Sequence, residues 1–391
     1  MAQVLSEAAD SESTLTCAGP CLAAGKRPQG DSDNLPVRAG TTVQRGKLTV
    51  SGHLMLKGIH ALRGIAAVAV VLYHASVWSG VYYATVFRGF FDFGYIGVDA
   101  FFVLSGFIIL HVHRHDTPGV GAWKQFFLKR VIRIYPPFLP VSCILLLAYQ
   151  VLPALANGNR EVGIITSIFL LPTPAQPALE VSWTLMHEML FYIFFSLYYL
   201  GRDLFLLSMG AWGLLLVVMI GQDGEMFLTR FLLNIHNIHF LLGMAVACIT
   251  ARTCRWYRSA LVTGLLLLAA YITAVYCHVN QELLVNHSVE HLLLGVMFAC
   301  VVYGLVGWER ERGMNGTALW MLLGSASYSI YLVHYPLVSL LNRIAGWYYD
   351  GSVVRARLFY ILIVLFCLAA GVLYYGIYEK KVLLYLRRRL L

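Results

Sequence analysis

Charge is scarce in this chain. Only 13% of its 391 residues are Asp, Glu, Lys or Arg, about half the share of an ordinary soluble domain. With 59% of residues hydrophobic, that scarcity excludes a disordered scaffold and an ordinary soluble enzyme. A net charge of +9 then bears on membrane orientation, and no nucleic-acid partner is expected. A disulfide framework is also missing. Cys143, Cys248, Cys277, Cys300 and Cys367 sit in apolar runs as small hydrophobes. Cys17 and Cys21 form a lone C-x3-C in a polar tail, a weak metal signal. No H-x-x-x-H or H-E-x-x-H spacing occurs among the candidate site residues, so no metal is expected. No basic segment followed by an apolar core opens the chain, so no cleavable signal peptide is expected. The two halves share no convincing repeat, which weighs against many transporter architectures.

What the chain has is apolar runs. Residues 1–55 are rich in Ser, Gly, Ala, Asp and Thr and read as a flexible polar tail. The remainder, 56–391, reads as one integral-membrane domain. Its runs predict about ten transmembrane helices near 59–78, 93–112, 137–155, 181–200, 204–221, 231–250, 259–278, 288–307, 319–342 and 356–378. The fold class expected is therefore all-α and polytopic. The run 162–171 is too short to cross and predicts a re-entrant or interfacial segment. GAWKQFFLKRVIRIY, 121–135, predicts an amphipathic helix on the cytoplasmic surface. One set of connecting segments carries only Arg88, Arg160, Arg230, Arg343 and Arg355, while the other holds the basic clusters 124–133, 252–258 and 380–389. This bias predicts that both termini are cytoplasmic.

Ionisable residues inside such runs are costly and mark function unless shown otherwise. The first run contains LRGIAAVAVVLYH. Arg63 and His74 lie eleven residues apart, which puts them on one helix face roughly 16 Å apart along the axis. Asp99 in the second span, Glu188 in the fourth and His334 in the ninth are expected at the depth of His74, as the wall of one polar cavity. The competing readings are snorkelling for Arg63 and interhelical glue for His74. HVHRH at 111–115, and His236 with His239, read as interfacial. Chemically, a histidine oriented by a carboxylate suits deprotonation of a hydroxyl that attacks an acyl carbon. The alternative is a multi-pass transporter or flippase of a glycan precursor, with the charged layer as its pathway. A membrane sensor or scaffold is the third class.

Five motifs occur in order: LRGIAAVAVVLYHA, GYIGVDAFFVLSGFII, RVIRIYPPFLP, SWTLMHEMLFYIFF and GSASYSIYLVHYPL. Together they make residues 57–378 resemble the integral-membrane acyltransferase 3 family. Thr184 departs from a position where serine is common. The resemblance implies transfer of an acyl group, often acetyl, from cytoplasmic acyl-CoA to a hydroxyl of an extracytoplasmic or lipid-linked carbohydrate. It implies acyl-CoA as co-substrate with no bound cofactor, and a bacterial plasma membrane setting. Arg63 and His74 match the family's essential pair. Asp99, Arg133, Tyr135, Glu188 and His334 fall on its further motif positions. On this reading His74, Arg63, Asp99 and Glu188 are catalytic. Arg63, Lys124, Lys129, Arg130, Arg133 and Tyr135 hold the acyl-CoA, and Trp183, Tyr328 and His334 are substrate-contacting or structural. No SGNH-type hydrolase domain follows the tenth run, so transfer is expected to be completed by the membrane domain or a separate partner.

Overall fold

A computed structural model describes residues 56–152, 161–220, 226–277 and 287–391; the tail 1–55 lies outside them. The described chain is helical: α1 Lys57–Tyr82, α2 Ile96–His113, α3 Val120–Val151, α4 Ile164–Phe169, α5 Trp183–Ser196, α6 Arg202–Val218, α7 Phe227–Leu232, α8 His236–Arg252, α9 Tyr257–Tyr276, α10 His287–Arg312, α11 Ala318–Trp347, α12 Val353–Tyr374 and α13 Lys380–Leu390. The one β feature described is an isolated bridge between Val162 and Gln176. Each of the ten apolar runs coincides with a helix. Among the described residues, seven helical segments are long and apolar enough to cross a membrane: 57–82, 86–113, 120–151, 227–252, 257–276, 287–312 and 353–390. The other three have physical reasons to fall short. α5 has 14 residues and α6 has 17, below the usual spanning length. α11 is long, but Ser327, Ser329, His334 and Asn342 on its buried face lower its apolarity. The protein is a polytopic helical membrane protein, and its exposed leucines, such as Leu206, Leu207, Leu362 and Leu365, suit a surface bathed in lipid.

Small residues let the central helices meet backbone to backbone, as expected where no hydrophobic effect drives helices together. α1 lies along α11, where a Cβ on Gly324 would sit 2.3 Å from the His60 carbonyl oxygen. α2 crosses α8 at Gly106 and Gly243, where an added Cβ would come within 2.0 Å of the Phe240 and Val103 carbonyls respectively. A Gly106→Leu substitution must therefore push two backbones apart. It is expected to lower the thermal unfolding temperature in detergent sharply and to reduce the folded yield, since overpacking a close contact costs about 1–3 kcal/mol or more. Monodisperse protein with an unshifted melting curve would refute this close crossing.

The structure corrects the surface-helix expectation. Residues 121–135 do not lie apart from the third span: α3 runs unbroken through Pro136, Pro137 and Pro140. A proline inside a helix leaves a carbonyl one turn earlier without its donor. Pro140 does this to the Pro136 carbonyl, and the Tyr378 hydroxyl donates to it at 3.2 Å. Such rescue by a neighbouring helix is what lets prolines persist in membrane spans. As a result Arg130 and Arg133 are buried, 1% and 6% exposed, while Lys124 is exposed. The short run does form only a six-residue helix, α4. His111, His113, His236 and His239, read as interfacial, are all buried.

Candidate active site

α1 and α11 run parallel, and His60, Arg63 and His74 of α1 meet Ser325, Ser327 and His334 of α11 respectively. Arg63 Nη2 donates to Ser327 Oγ at 2.8 Å. Its Nε and Nη1 are buried without a hydrogen-bond partner. This guanidinium lines a small cavity of about 70 Å³ together with Ser105, Arg133, Glu188, Tyr192 and Tyr328. Across it, Arg133 pairs with Glu379, whose second oxygen accepts from Ser329 Oγ at 2.5 Å. Arg133 also lies 4.8 Å over the Tyr328 ring. Glu188 accepts from the Tyr192 hydroxyl at 2.5 Å. Glu379 reaches this depth because residues 375–379 form a π-helical turn, a local widening that often occurs at functional positions.

At the other end of the α1 face, the hydrogen bonds assign tautomers. His334 Nδ1 faces only the carbonyls of Ile330 and Tyr331, at 3.1 and 2.8 Å, so it carries the proton and Nε2 is a lone pair. His74 Nδ1 faces that lone pair at 3.2 Å and the Val70 carbonyl at 3.0 Å. Both are acceptors, so His74 Nδ1 carries hydrogen too. His74 Nε2 is then left with its lone pair free, as a general base requires. His74 lines two cavities. One, of about 420 Å³, also has Tyr95, Asp99, Trp183, His236, Glu290 and His291 in its wall. The second, of about 580 Å³, has Trp78, Gln176, Glu180 and Tyr335. Val98 and Tyr331 line both the Arg63 cavity and the first of these, so the spaces abut.

Of the expected layer, His74 and Asp99 line one cavity with His334 bonded to His74, while Glu188 lies apart from them. His334 is the partner of His74. Glu188 lies with Arg63 and Arg133, and Asp99 accepts from His291 Nδ1 at 2.7 Å. Trp183 and Tyr328 do line the cavities, on opposite sides of the Tyr331 partition. The expected acyl-CoA set disperses. The Tyr135 hydroxyl donates to the Phe169 carbonyl at 2.6 Å. Arg130 donates to His113 Nε2 at 2.6 Å and stacks over Phe126 and Tyr192. His113 in turn donates to Asp116 at 2.8 Å. Burial would raise the Asp116 carboxyl, but hydrogen bonds from His113 and Tyr199 hold it below its ordinary value. Two groups escaped sequence reading. Glu379 sits at the end of the last apolar run beside two lysines, where a glutamate reads as surface. His291 opens α10. A usable signal for the latter was the His287-x-x-x-His291 spacing, which puts two rings on one helix face.

The fold and this polar path between helices define a membrane-embedded protein with a free histidine base at one end and a buried arginine at the other. Residues 56–377 match the family model described as Acyltransferase domain, and the chain belongs to that acyltransferase 3 family. It is 26% identical over 326 residues to the acyltransferase MdmB of Streptomyces mycarofaciens, covering 74% of this chain and 81% of MdmB. It is 27% identical over 290 residues to the exopolysaccharide production protein ExoZ of Rhizobium meliloti, covering 70% and 83%. A Staphylococcus aureus (strain COL) protein carrying an O-acetyltransferase name is 22% identical over 341 residues, covering 76% of this chain. The match takes in 52% of that relative, so the chain spans about half its length. No solved structure matches the chain.

Proposed function

We propose that the protein is an O-acyltransferase of a bacterial plasma membrane. It moves an acyl group, acetyl first among candidates, from cytoplasmic acyl-CoA to a hydroxyl of an extracytoplasmic carbohydrate or glycolipid, with both termini cytoplasmic. The observation that carries this reading is the run of abutting cavities from Arg63 to the free Nε2 of His74. Arg63, with two buried unpartnered nitrogens, suits an acyl-CoA group rich in acceptor oxygens. The exposed Lys124 suits the phosphates at the membrane surface, while Arg130 and Arg133 act by positioning, since each is held by protein partners. The acyl thioester passes Val98 and Tyr331 to reach His74. There His74 Nε2 takes the proton of the acceptor hydroxyl, the oxygen attacks the acyl carbon, the C–S bond breaks and the CoA thiolate leaves. The relatives MdmB and ExoZ, named for acyl transfer and exopolysaccharide production, support this class of reaction.

The test is transfer in proteoliposomes with labelled acetyl-CoA supplied on one face only. Label on a glycan at the opposite face supports the reading. Absence of transfer to the host's own surface glycan, by folded protein in either orientation, refutes it and favours a transporter or scaffold. Arg63→Ala is expected to raise the KM for acyl-CoA by about 10- to 100-fold, the value of one or two charged hydrogen bonds, and to leave the acceptor KM within a few-fold. Equal losses toward both substrates would assign Arg63 a structural role instead.

A further inference from the structure

The buried cluster beside His74 contains more acceptors than donors. α2, α8 and α10 bring Asp99, His236 and His291 together with one potential ligand atom each, all within 4.8 Å of one another. Asp99 is 0% exposed. Its Oδ1 accepts from His291 Nδ1, and its Oδ2 is buried with no hydrogen-bond partner. A carboxylate in such surroundings needs positive charge nearby, and among the described residues its ion-pair partners are the histidines 236, 239 and 291. The tautomer of His236 is fixed. Asn234 Oδ1 accepts the His236 backbone N–H at 3.0 Å and so must also accept from His236 Nδ1, at 2.8 Å. In the neutral ring His236 Nε2 is thereby a lone pair, and it faces Asp99 Oδ1 at 3.9 Å. Two acceptors opposed at that distance repel unless a cation lies between them.

We propose that Asp99, His236 and His291 form a binding site for one divalent transition ion of the zinc class, opening onto the cavity that His74 lines. Two imidazoles and one carboxylate are a ligand set that suits such an ion, and its binding releases to solvent the proton that His291 Nδ1 shares with Asp99. The separations on the page close around an ion with roughly 2.0–2.2 Å bonds after small side-chain shifts. The Nδ1–H of His236 on Asn234 is the outer-shell hydrogen bond that orients metal-bound histidines. Three protein ligands leave a fourth position free, and the shared cavity points it toward His74. If the acyltransferase reading holds, that position receives the acceptor's hydroxyl; the ion site itself rests on the cluster alone.

The experiment measures binding without activity, so failure of one reading is separable from failure of the other. Full-length protein in detergent, freed of any histidine tag, is stripped with a chelator and titrated with Zn²⁺. Bound metal is counted by elemental analysis, and Co²⁺ serves as the optical probe. One Zn²⁺ per chain and a visible tetrahedral Co²⁺ spectrum are expected for wild type. Asp99→Asn, His236→Gln and His291→Gln should each weaken binding by about 10-fold or more, and Asn234→Ala by about 10- to 100-fold through the outer shell. His334→Gln should bind as wild type does. Folding of each variant is followed by size-exclusion profile, and Asn234→Ala keeps the test open where a ligand variant does not fold. No stoichiometric ion in folded wild type, or equal affinity across the variants, overturns the proposal.

Discussion

His74→Ala is expected to remove acyl transfer almost completely, by about 10²–10⁴-fold, the contribution typical of a positioned general base. His74 Nδ1 is tied to Val70 and His334, so its one free nitrogen faces the cavities, and no other ring in the described structure combines a free lone pair with both outer cavities. The measurement is label transfer in proteoliposomes, normalised to folded protein. His334→Ala should show a smaller loss, mainly in kcat, because the base remains but its tautomer is no longer imposed. Transfer by His74→Ala within a few-fold of wild type would remove His74 from the chemistry.

Glu379→Ala should produce the largest stability change. Glu379 is 1% exposed, holds Arg133 and accepts from Ser329. Its removal leaves Arg63 and Arg133 with Glu188 as the remaining carboxylate of the Arg63 cavity. Deleting one partner of a buried ion pair costs about 3–5 kcal/mol, because the other charge stays buried and uncompensated. Thermal unfolding in detergent should show a large drop, and an Arg133→Met, Glu379→Leu double variant should recover much of it. A Glu379→Ala protein as stable as wild type would mean that lipid headgroups or water already solvate Arg133.

The apolar runs, the Arg63–His74 spacing and the five ordered motifs were legible in the chain, because helix periodicity and the cost of charge in lipid act locally. They determined the helical membrane class and the resemblance to the acyltransferase 3 family, and they singled out Arg63 and His74 as candidates. Which groups meet was decided by packing. Depth counted along separate helices put His74, Asp99, Glu188 and His334 in one layer; Asp99 shares the His74 cavity and His334 bonds to His74, but helix crossing and rotation put Glu188 with Arg63. The basic stretch 124–133 looked like a surface because its charges alternate with aromatics. In the fold, α3 runs on through its prolines, with the Tyr378 hydroxyl on the Pro136 carbonyl, and Arg130 and Arg133 are buried. Glu379 entered the site through a π-helical turn that no short-range pattern announces. Sequence thus determined which side chains must avoid lipid, a property of each helix by itself; only the tertiary structure decided their partners, because those lie hundreds of residues away and depend on where small residues let two backbones touch.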